Sequence, residues 1–213
     1  MIEYEIKDAL LKKGCPVCSV LKKRTDEVLW WFEKENYHEI ETLSKLHDNP
    51  FICERHKEKL LVIGNTLSVT FEFLIEKDME FLSSLSKLKS KKLSQKVKHS
   101  SFDTCMFCAL EKDIERFIVE KFIEMLKENE TKKLYEKSEG LCRKHLFECL
   151  LKADKVQEST EFLIRDAVLR LSKIDKLLKE FFHKSDYRFS GEKKGKEQNA
   201  WIDALNFYSA NKK

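Results

Sequence analysis

The chain has 213 residues, of which 42% are hydrophobic and 37% charged, and its formal net charge is +4 at pH 7. With only 5 Gly and 2 Pro, the sequence lacks the many tight turns that an all-β fold needs. A net charge this small does not require a nucleic-acid partner. Leu, Lys, Glu and Phe are abundant, which favours helices. We therefore expect an all-α protein.

The N-terminal residues, MIEYEIKD, do not form a secretory signal, because they are acidic and lack a basic start followed by an apolar core. No run of apolar residues approaches the roughly 18 that suit a membrane-spanning helix. These features predict a cytoplasmic location and no membrane partner. In a reducing compartment, cysteines at metal-ligand spacing are more often ligands than disulfides.

Helical periodicity is apparent in four segments along the chain. The first covers residues 19–34, where Pro16 suits the first helical turn. The others cover residues 53–88, 107–127 and 142–182. No segment shows a convincing strand pattern, so helices account for the whole of the predicted fold.

Two further segments are predicted to be outside these helices. Residues 87–100, KLKSKKLSQKVKHS, are rich in lysine and predict a solvated helix end and linker. Residues 184–199 are typical of an extended segment. Residues 200–208 then form a short amphipathic helix, which we expect to pack back onto the helical bundle.

Six of the seven cysteines lie in four short motifs that occur twice in the same order. CPVC, at residues 15–18, is followed by CERH at residues 53–56. CMFC, at residues 105–108, is followed by CRKH at residues 142–145. The eight candidate metal ligands are Cys15, Cys18, Cys53, His56, Cys105, Cys108, Cys142 and His145.

The two halves of the chain also match outside the cysteines. The Cys-x-x-Cys motifs are offset by 90 residues and the Cys-x-x-His motifs by 89, and EFLI recurs at the offset of 89. This shared register predicts an internal duplication. We therefore divide the chain into three parts. Residues 1–96 form the first helical unit, with one metal site and the linker, and residues 97–183 form the second unit, with its own metal site. Residues 184–213 form a C-terminal segment.

Each predicted unit offers three thiols and one imidazole, a closed set of four ligands of the kind that structural zinc sites use. We expect Cys15 and Cys18 to share one zinc ion with Cys53 and His56. The motifs at residues 105–108 and 142–145 would share a second. An iron–sulfur cluster with one His ligand is less favoured. A redox dithiol in CPVC is disfavoured because no strand precedes its helix.

Other candidate residues have weaker patterns. Cys149 is interpreted as a small core residue. The pairs Glu35/His38 and Glu180/His183 resemble part of a di-iron site, but they fall at non-equivalent places in the two halves.

Near the C-terminus, Tyr187, Arg188 and Trp201 are candidates for binding an anionic or planar ligand through the guanidinium group and ring stacking. In the favoured alternative, Tyr187 and Trp201 hold the C-terminal segment on the bundle.

The motifs CPVC and GLCRKH, with the tail DYRF followed by Glu197 and Trp201, are similar to those of an uncharacterised prokaryotic family, a domain of unknown function. That family has CPxC and GLCxxH pairs and a C-terminal DYR…W segment. The resemblance covers nearly the whole chain and implies a helical metal-binding protein without an established activity. Two motifs depart from the pattern: CMFC lacks the proline, and FICERH lacks the Gly-Leu.

The sequence thus predicts a zinc-binding helical protein that acts as a binding or adaptor module, with a protein or small molecule as its partner. We do not expect an enzyme, since no catalytic constellation is apparent. Two alternatives remain open. One is a thiol or iron–sulfur redox protein, and the other is nucleic-acid binding through the Lys-rich segment.

Overall fold

A computed structural model describes residues 1–36, 39–48, 50–86, 88–99, 105–152, 157–189 and 191–209. Within these ranges the chain forms helices and no strands, which confirms the all-α prediction. No helix in the described ranges is both long enough and apolar enough to cross a membrane.

The α-helices follow one another along the chain, with short 3-10 and π turns between some of them. Their bounds are Ile2–Leu10 (α1), Pro16–Trp31 (α2), Ile40–Asp48 (α3), Glu54–Leu61 (α4), Ser68–Leu85 (α5), Ser90–His99 (α6), Met106–Met125 (α7), Asn129–Lys137 (α8), Arg143–Lys152 (α9), Gln157–Ser185 (α10) and Ala200–Tyr208 (α11).

The chain forms two compact units. The continuous unit is Lys23–Ile114, and the discontinuous unit combines Met1–Lys22 with Glu115–Lys213. The boundaries between the units fall inside α2 and α7. The compact units therefore do not follow the two sequence-similar halves, because the first 22 residues join the second half of the chain.

The discontinuous unit has a core to which α1 contributes directly. Ile6 and Leu10 of α1 are almost fully buried, and α1 packs against α8. Lys7 of α1 pairs with Glu130 of α8 at 2.9 Å. Tyr135 of α8 is also buried in this core. Burial of the apolar face of α1 thus fixes the N-terminal residues to helices from the second half.

The C-terminal segment folds back onto the same unit, as predicted. Helix α11 packs against α9 and α10. Ala200, the first residue of α11, and Glu197, three residues before it, are buried. The carboxylate of Glu197 accepts hydrogen bonds from the Gly195 amide at 2.6 Å and from Lys184 at 3.3 Å. This buried carboxylate therefore has charged and polar partners.

The continuous unit has its own apolar core. Its centre contains Phe32, Leu46, Leu60, Leu74 and Phe107. The rings of Phe32 and Phe107 meet edge to face, with centroids 5.5 Å apart. Phe107 lies between the two cysteines of CMFC, so this core supports one of the predicted metal-ligand motifs.

Candidate metal centres

The structure gathers the eight predicted ligands into two groups of four. In each group the sulfur and nitrogen atoms that could bind a metal ion all lie within 4.8 Å of one another. We call the group in the discontinuous unit the Cys142 site: Cys15, Cys18, Cys142 and His145. The group in the continuous unit is the Cys53 site: Cys53, His56, Cys105 and Cys108. Two Cys3His clusters were predicted, and both are present.

The predicted pairing of the motifs is wrong. We expected CPVC at residues 15–18 to join CERH at residues 53–56, within the first half of the chain. Instead, CPVC joins CRKH at residues 142–145, and CMFC at residues 105–108 joins CERH. Each site therefore combines a motif from one half of the sequence with a motif from the other.

Packing of α1 explains this exchange. The loop closed between Cys18 and Cys142 spans 124 residues, compared with 35 for the expected partner Cys53. The entropy of closing the longer loop costs only about 1 kcal/mol more. Burial of Ile6 and Leu10 exceeds this cost, since each buried side chain of this kind contributes about 1.5–3 kcal/mol.

The Cys142 site is built from two helix starts. Cys15 and Cys18 lie at the beginning of α2, and Cys142 and His145 at the beginning of α9. The sulfurs of Cys15, Cys18 and Cys142 lie 3.4, 3.2 and 3.3 Å from Nδ1 of His145. The sulfurs of Cys18 and Cys142 are 3.8 Å apart.

The Cys53 site repeats this geometry with α7 and α4. The sulfurs of Cys53, Cys105 and Cys108 lie 3.3, 3.4 and 3.4 Å from Nδ1 of His56. Cys53 and Cys108 are 3.6 Å apart, sulfur to sulfur. Around a tetrahedral zinc ion, with Zn–S of about 2.3 Å and Zn–N of about 2.0 Å, ligand atoms are about 3.5–3.8 Å apart. The residues of both sites therefore fit this ion.

Hydrogen bonding does not account for three sulfurs around one nitrogen. A neutral imidazole whose other nitrogen carries the proton has a single acceptor lone pair at Nδ1. That lone pair can accept one well-aligned hydrogen bond, whereas three sulfurs approach Nδ1 in each site. Four atoms that face a common centre are the arrangement that a single bound cation needs.

In each site, a glutamate carboxylate contacts Nε2 of the histidine, the ring nitrogen that does not face the sulfurs. Nε2 of His145 lies 2.8 Å from Oε1 of Glu115, and Nε2 of His56 lies 3.1 Å from Oε1 of Glu111. A proton on Nε2 that is donated to the carboxylate leaves Nδ1 free to bind a metal ion. Carboxylates in this position fix the tautomer and orientation of metal-binding histidines.

Hydrogen bonds within the Cys142 site favour the ionised forms of Glu115 and Cys142. Hydrogen bonds from His145 and Lys144 lower the pKa of Glu115 to about 2. Hydrogen bonds from Cys15 and Cys18 lower the pKa of Cys142, whereas burial raises that of Cys15 well above its usual value. The site thus stabilises negative charge on the sulfur of Cys142 and disfavours it on that of Cys15. A divalent cation compensates the negative charge of thiolate ligands.

The Cys53 site has a different set of cationic neighbours. Arg55 forms an ion pair with Glu111, and its Nη2 atom lies 3.6 Å from the sulfur of Cys108. Lys59 lies 3.8 Å from Glu111. Burial raises the pKa of Glu111, but the hydrogen bonds from Arg55 and His56 outweigh it, so the pKa is lowered. This site therefore carries a guanidinium group next to a ligand sulfur.

The predicted ligand-binding residues of the tail lie at the surface. Tyr187 is 85% exposed and Trp201 is 57% exposed. Arg188 forms an ion pair with Asp186 at 2.6 Å. Binding of a ligand by these residues stays a prediction. The buried residues of the tail are Glu197 and Ala200. That Tyr187 and Trp201 hold the tail on the bundle also stays a prediction.

Other candidates lie away from the two sites or outside the described residues. Cys149 is fully buried, and burial raises its pKa well above the usual value of a thiol. His183 stacks on Phe189, with ring centroids 3.9 Å apart. The Glu35/His38 pair lies outside the described side chains, as does part of the Lys-rich segment at residues 87–100.

Sequence reasoning missed both carboxylates. Glu111 follows Cys108 by three residues, a spacing that places both on one helix face, so a search for carboxylates near the cysteine motifs could have found it. Glu115 had no such signal. Its partner His145 is 30 residues away, and glutamate is common throughout this chain.

Comparison with known proteins adds a family but no activity. The model of a family of unknown function (DUF6062) matches residues 2–213, which confirms the resemblance to an uncharacterised family. No curated protein and no solved structure matches this chain. A function must therefore be argued from the chemistry of the two clusters.

Proposed function

Because this chain belongs to a family of unknown function, DUF6062, we propose a function from its geometry: each Cys3His cluster binds one zinc ion, and the two ions stabilise a helical protein-binding module. The observation that carries this proposal is the approach of three sulfurs to one histidine Nδ1 atom in both sites. Zinc is the ion whose preferred ligands and geometry match such sets.

The donor set supports a structural role for the metal. When zinc is bound, three thiolates and one imidazole fill its four positions, and no position is left for a water molecule. Catalytic zinc sites keep one such position open. The ion's contribution would be to hold α2 to α9 in one unit and α4 to α7 in the other.

The spacing of the ligand atoms favours a single ion over an iron–sulfur cluster. In such clusters, several irons and sulfides lie between the cysteine sulfurs. All ligand atoms here lie within 4.8 Å of one another, and the measured S–S distances match the edge of a one-metal tetrahedron. Thiolate ligands need a reducing compartment, which supports a cytoplasmic location.

Elemental analysis tests the metal proposal directly. We expect two zinc ions per chain in protein purified without added metal, and no visible absorption. Cobalt(II) exchanged into the protein should give the absorption bands of tetrahedral thiolate coordination. A chain that contains iron and is coloured would overturn the zinc assignment, and a chain that binds no metal would overturn the proposal.

Exposed aromatic and aliphatic side chains support the binding role. Trp201, Leu205 and Tyr208 lie at helical spacing along α11 and are all more than half exposed. Phe147 and Leu151 of α9, which packs against α11, are exposed as well. Protein interfaces are rich in aromatic residues and arginine, and Arg143 lies over the ring of Phe147, 4.5 Å from its centroid.

The occupant that we propose for this face is a second copy of the chain. The five side chains expose roughly 600 Å², close to the roughly 800 Å² per partner that a standard interface buries. Another copy of the chain carries the same apolar face, so a partner surface of matching size and composition is present in any solution of this protein. A two-fold dimer pairs such a face with itself.

Sedimentation equilibrium of the zinc-loaded protein tests this occupant. We expect a dimer for the native sequence and a monomer for Leu205→Glu and Tyr208→Glu. Tyr4→Glu is the matched control, because Tyr4 is an equally exposed tyrosine on α1, and it should remain dimeric. A native chain that is monomeric at all concentrations, or a Tyr208→Glu dimer of unchanged affinity, would reject the second copy as the partner.

A further inference from the structure

The two sites differ in how far their sulfurs are shielded from solvent. In the Cys142 site, Cys18 and Cys142 are buried and Cys15 is partly exposed. In the Cys53 site, only Cys105 is buried, and Cys53 and Cys108 are both partly exposed. A reagent in solution therefore reaches two ligand sulfurs of the Cys53 site.

The loops that carry the equivalent cysteines show the same difference. Leu141, next to Cys142, is 6% exposed, and its amide donates a hydrogen bond to the Tyr135 hydroxyl at 3.4 Å. At the corresponding place before Cys53, Ile52 is only partly buried and Phe51 is 42% exposed. The Cys142 loop is thus enclosed in its unit, whereas the Cys53 loop lies at the surface.

The guanidinium of Arg55 gives the Cys53 site an electropositive surface. Its Nη2 atom lies 3.6 Å from the sulfur of Cys108, and the Arg55 side chain is 42% exposed. Reactive cysteines are found in partly exposed surroundings beside Arg or Lys. Lys144 of the Cys142 site pairs with Glu115, just as Arg55 pairs with Glu111, but Arg55 also contacts a ligand sulfur.

Cys53 and Cys108 are also close enough to join. Their sulfurs are 3.6 Å apart, and a disulfide requires about 2.05 Å. An approach of about 1.5 Å therefore brings the two sulfurs to bonding distance. The two side chains come from different helix starts, α4 and α7, so each can adjust without breaking a helix.

From these observations we infer that the Cys53 site is an oxidation-sensitive zinc site in which a hydroperoxide converts Cys53 and Cys108 to a disulfide, while the Cys142 site keeps its ion. This inference rests on the proposed zinc binding. It assigns a regulatory role to one of two otherwise similar clusters.

The reaction balances with a peroxide as the oxidant. One thiolate of the Cys53/Cys108 pair attacks one peroxide oxygen, the O–O bond breaks, and a sulfenic acid and hydroxide or alkoxide form. The other thiolate of the pair then attacks the sulfenic sulfur, which forms the S–S bond and releases hydroxide. Solvent supplies two protons, and the two thiolates lose the two electrons that the peroxide gains. Only His56 and Cys105 remain as ligands, so the zinc ion is released.

The test uses the full chain loaded with two zinc ions. Hydrogen peroxide is added in the presence of a chromogenic zinc chelator, and free thiols are alkylated at intervals and located by mass spectrometry. We expect one zinc ion to be released in a separate fast phase, together with loss of alkylation at Cys53 and Cys108. Release of both ions at one rate, or early oxidation of Cys18 and Cys142, would overturn the inference.

Two variants refine the result. Arg55→Gln should slow the fast phase, because it removes the cation beside Cys108. Lys57→Gln is the control, since Lys57 lies on the same helix and pairs with Glu54 instead. If Arg55→Gln does not fold, the alkylation pattern of the native chain decides alone. A native chain without zinc would reject the proposed function itself, whereas two ions released together would reject only the inference.

Discussion

His145 contacts Glu115 through Nε2 at 2.8 Å while its Nδ1 atom faces three cysteine sulfurs. The ring is therefore fixed at both nitrogens, and the position of the carboxylate determines which nitrogen is available for a metal ion. His56 and Glu111 repeat this relationship in the other unit. Both carboxylates come from α7.

Replacement of Glu115 by Gln should weaken zinc binding at the Cys142 site by about 10–100-fold, the usual effect of losing a carboxylate behind a ligating histidine. Glu111→Gln should weaken only the Cys53 site. Chelator competition followed by native mass spectrometry measures both affinities. Glu120→Gln is the control, because Glu120 lies on the same helix and pairs with Lys152 at the surface. Equal affinities for Glu115→Gln and the control would remove Glu115 from the metal site.

Removal of zinc should unfold the protein. Structural zinc contributes roughly 10–16 kcal/mol of apparent binding free energy in small zinc-dependent peptides, as much as the total stability of a typical domain. We expect a strong chelator at neutral pH to reduce the helical circular dichroism signal, and added zinc to restore it. An unchanged melting temperature in metal-free protein would contradict a structural role for the ions.

Cys142→Ser and Cys149→Ala should have opposite consequences for metal content. The first removes a ligand and should lower the zinc content to one ion per chain. The second removes a buried thiol that stays protonated, since burial raises its pKa well above the usual value of a thiol. Cys149→Ala should retain two ions and lose only about 1 kcal/mol of unfolding free energy. Zinc analysis and urea unfolding distinguish the two; loss of zinc from Cys149→Ala would make Cys149 a ligand.

Gly140→Ala should destabilise the protein more than Gly64→Ala. Both residues have a positive φ, +82° and +69°, and an alanine in that region costs about 1–2 kcal/mol. At Gly140 the added Cβ would also lie 2.9 Å from Nε of Arg170, whose guanidinium donates to the carbonyls of Tyr135 and Ser138. Overpacking adds about 1–3 kcal/mol. Equal losses of unfolding free energy would show that Arg170 moves away without cost.

Docking of the C-terminal segment should depend on pH through Glu197. The Gly195 amide is foremost among the donors that lower the pKa of this carboxylate to about 2 in the folded protein, compared with about 4.3 for an unfolded glutamate. A lowered pKa stabilises the folded form above about pH 4.3, and this stabilisation is lost as the pH falls towards 2. Hydrogen exchange of the Gly195 amide, compared with Glu197→Gln at each pH, measures the effect. The difference between the two proteins should be largest above pH 5 and vanish below about pH 2; a constant difference would contradict the role of Glu197.

Local spacing was sufficient to predict all eight residues of the two clusters, because Cys-x-x-Cys and Cys-x-x-His place two ligands on one side of a turn. It could not predict which motifs join. That choice depends on the burial of Ile6 and Leu10 against the second half of the chain, and apolar periodicity alone does not identify the surface on which a short helix packs. Periodicity also did not indicate that a carboxylate, Glu197, and a small residue, Ala200, are the buried residues of the tail.

The separation of 124 residues between Cys18 and Cys142 has a consequence for biosynthesis. At about 5–20 residues per second, the ribosome needs about 6–25 s to extend the nascent polypeptide from the first of these cysteines to the second. The Cys53 site is complete once Cys108 has emerged. During translation, therefore, Cys15 and Cys18 are made first but are among the last cysteines to meet their native partners. Until Cys142 and His145 emerge, Cys53 and His56 can compete as ligands for a metal ion bound to Cys15 and Cys18.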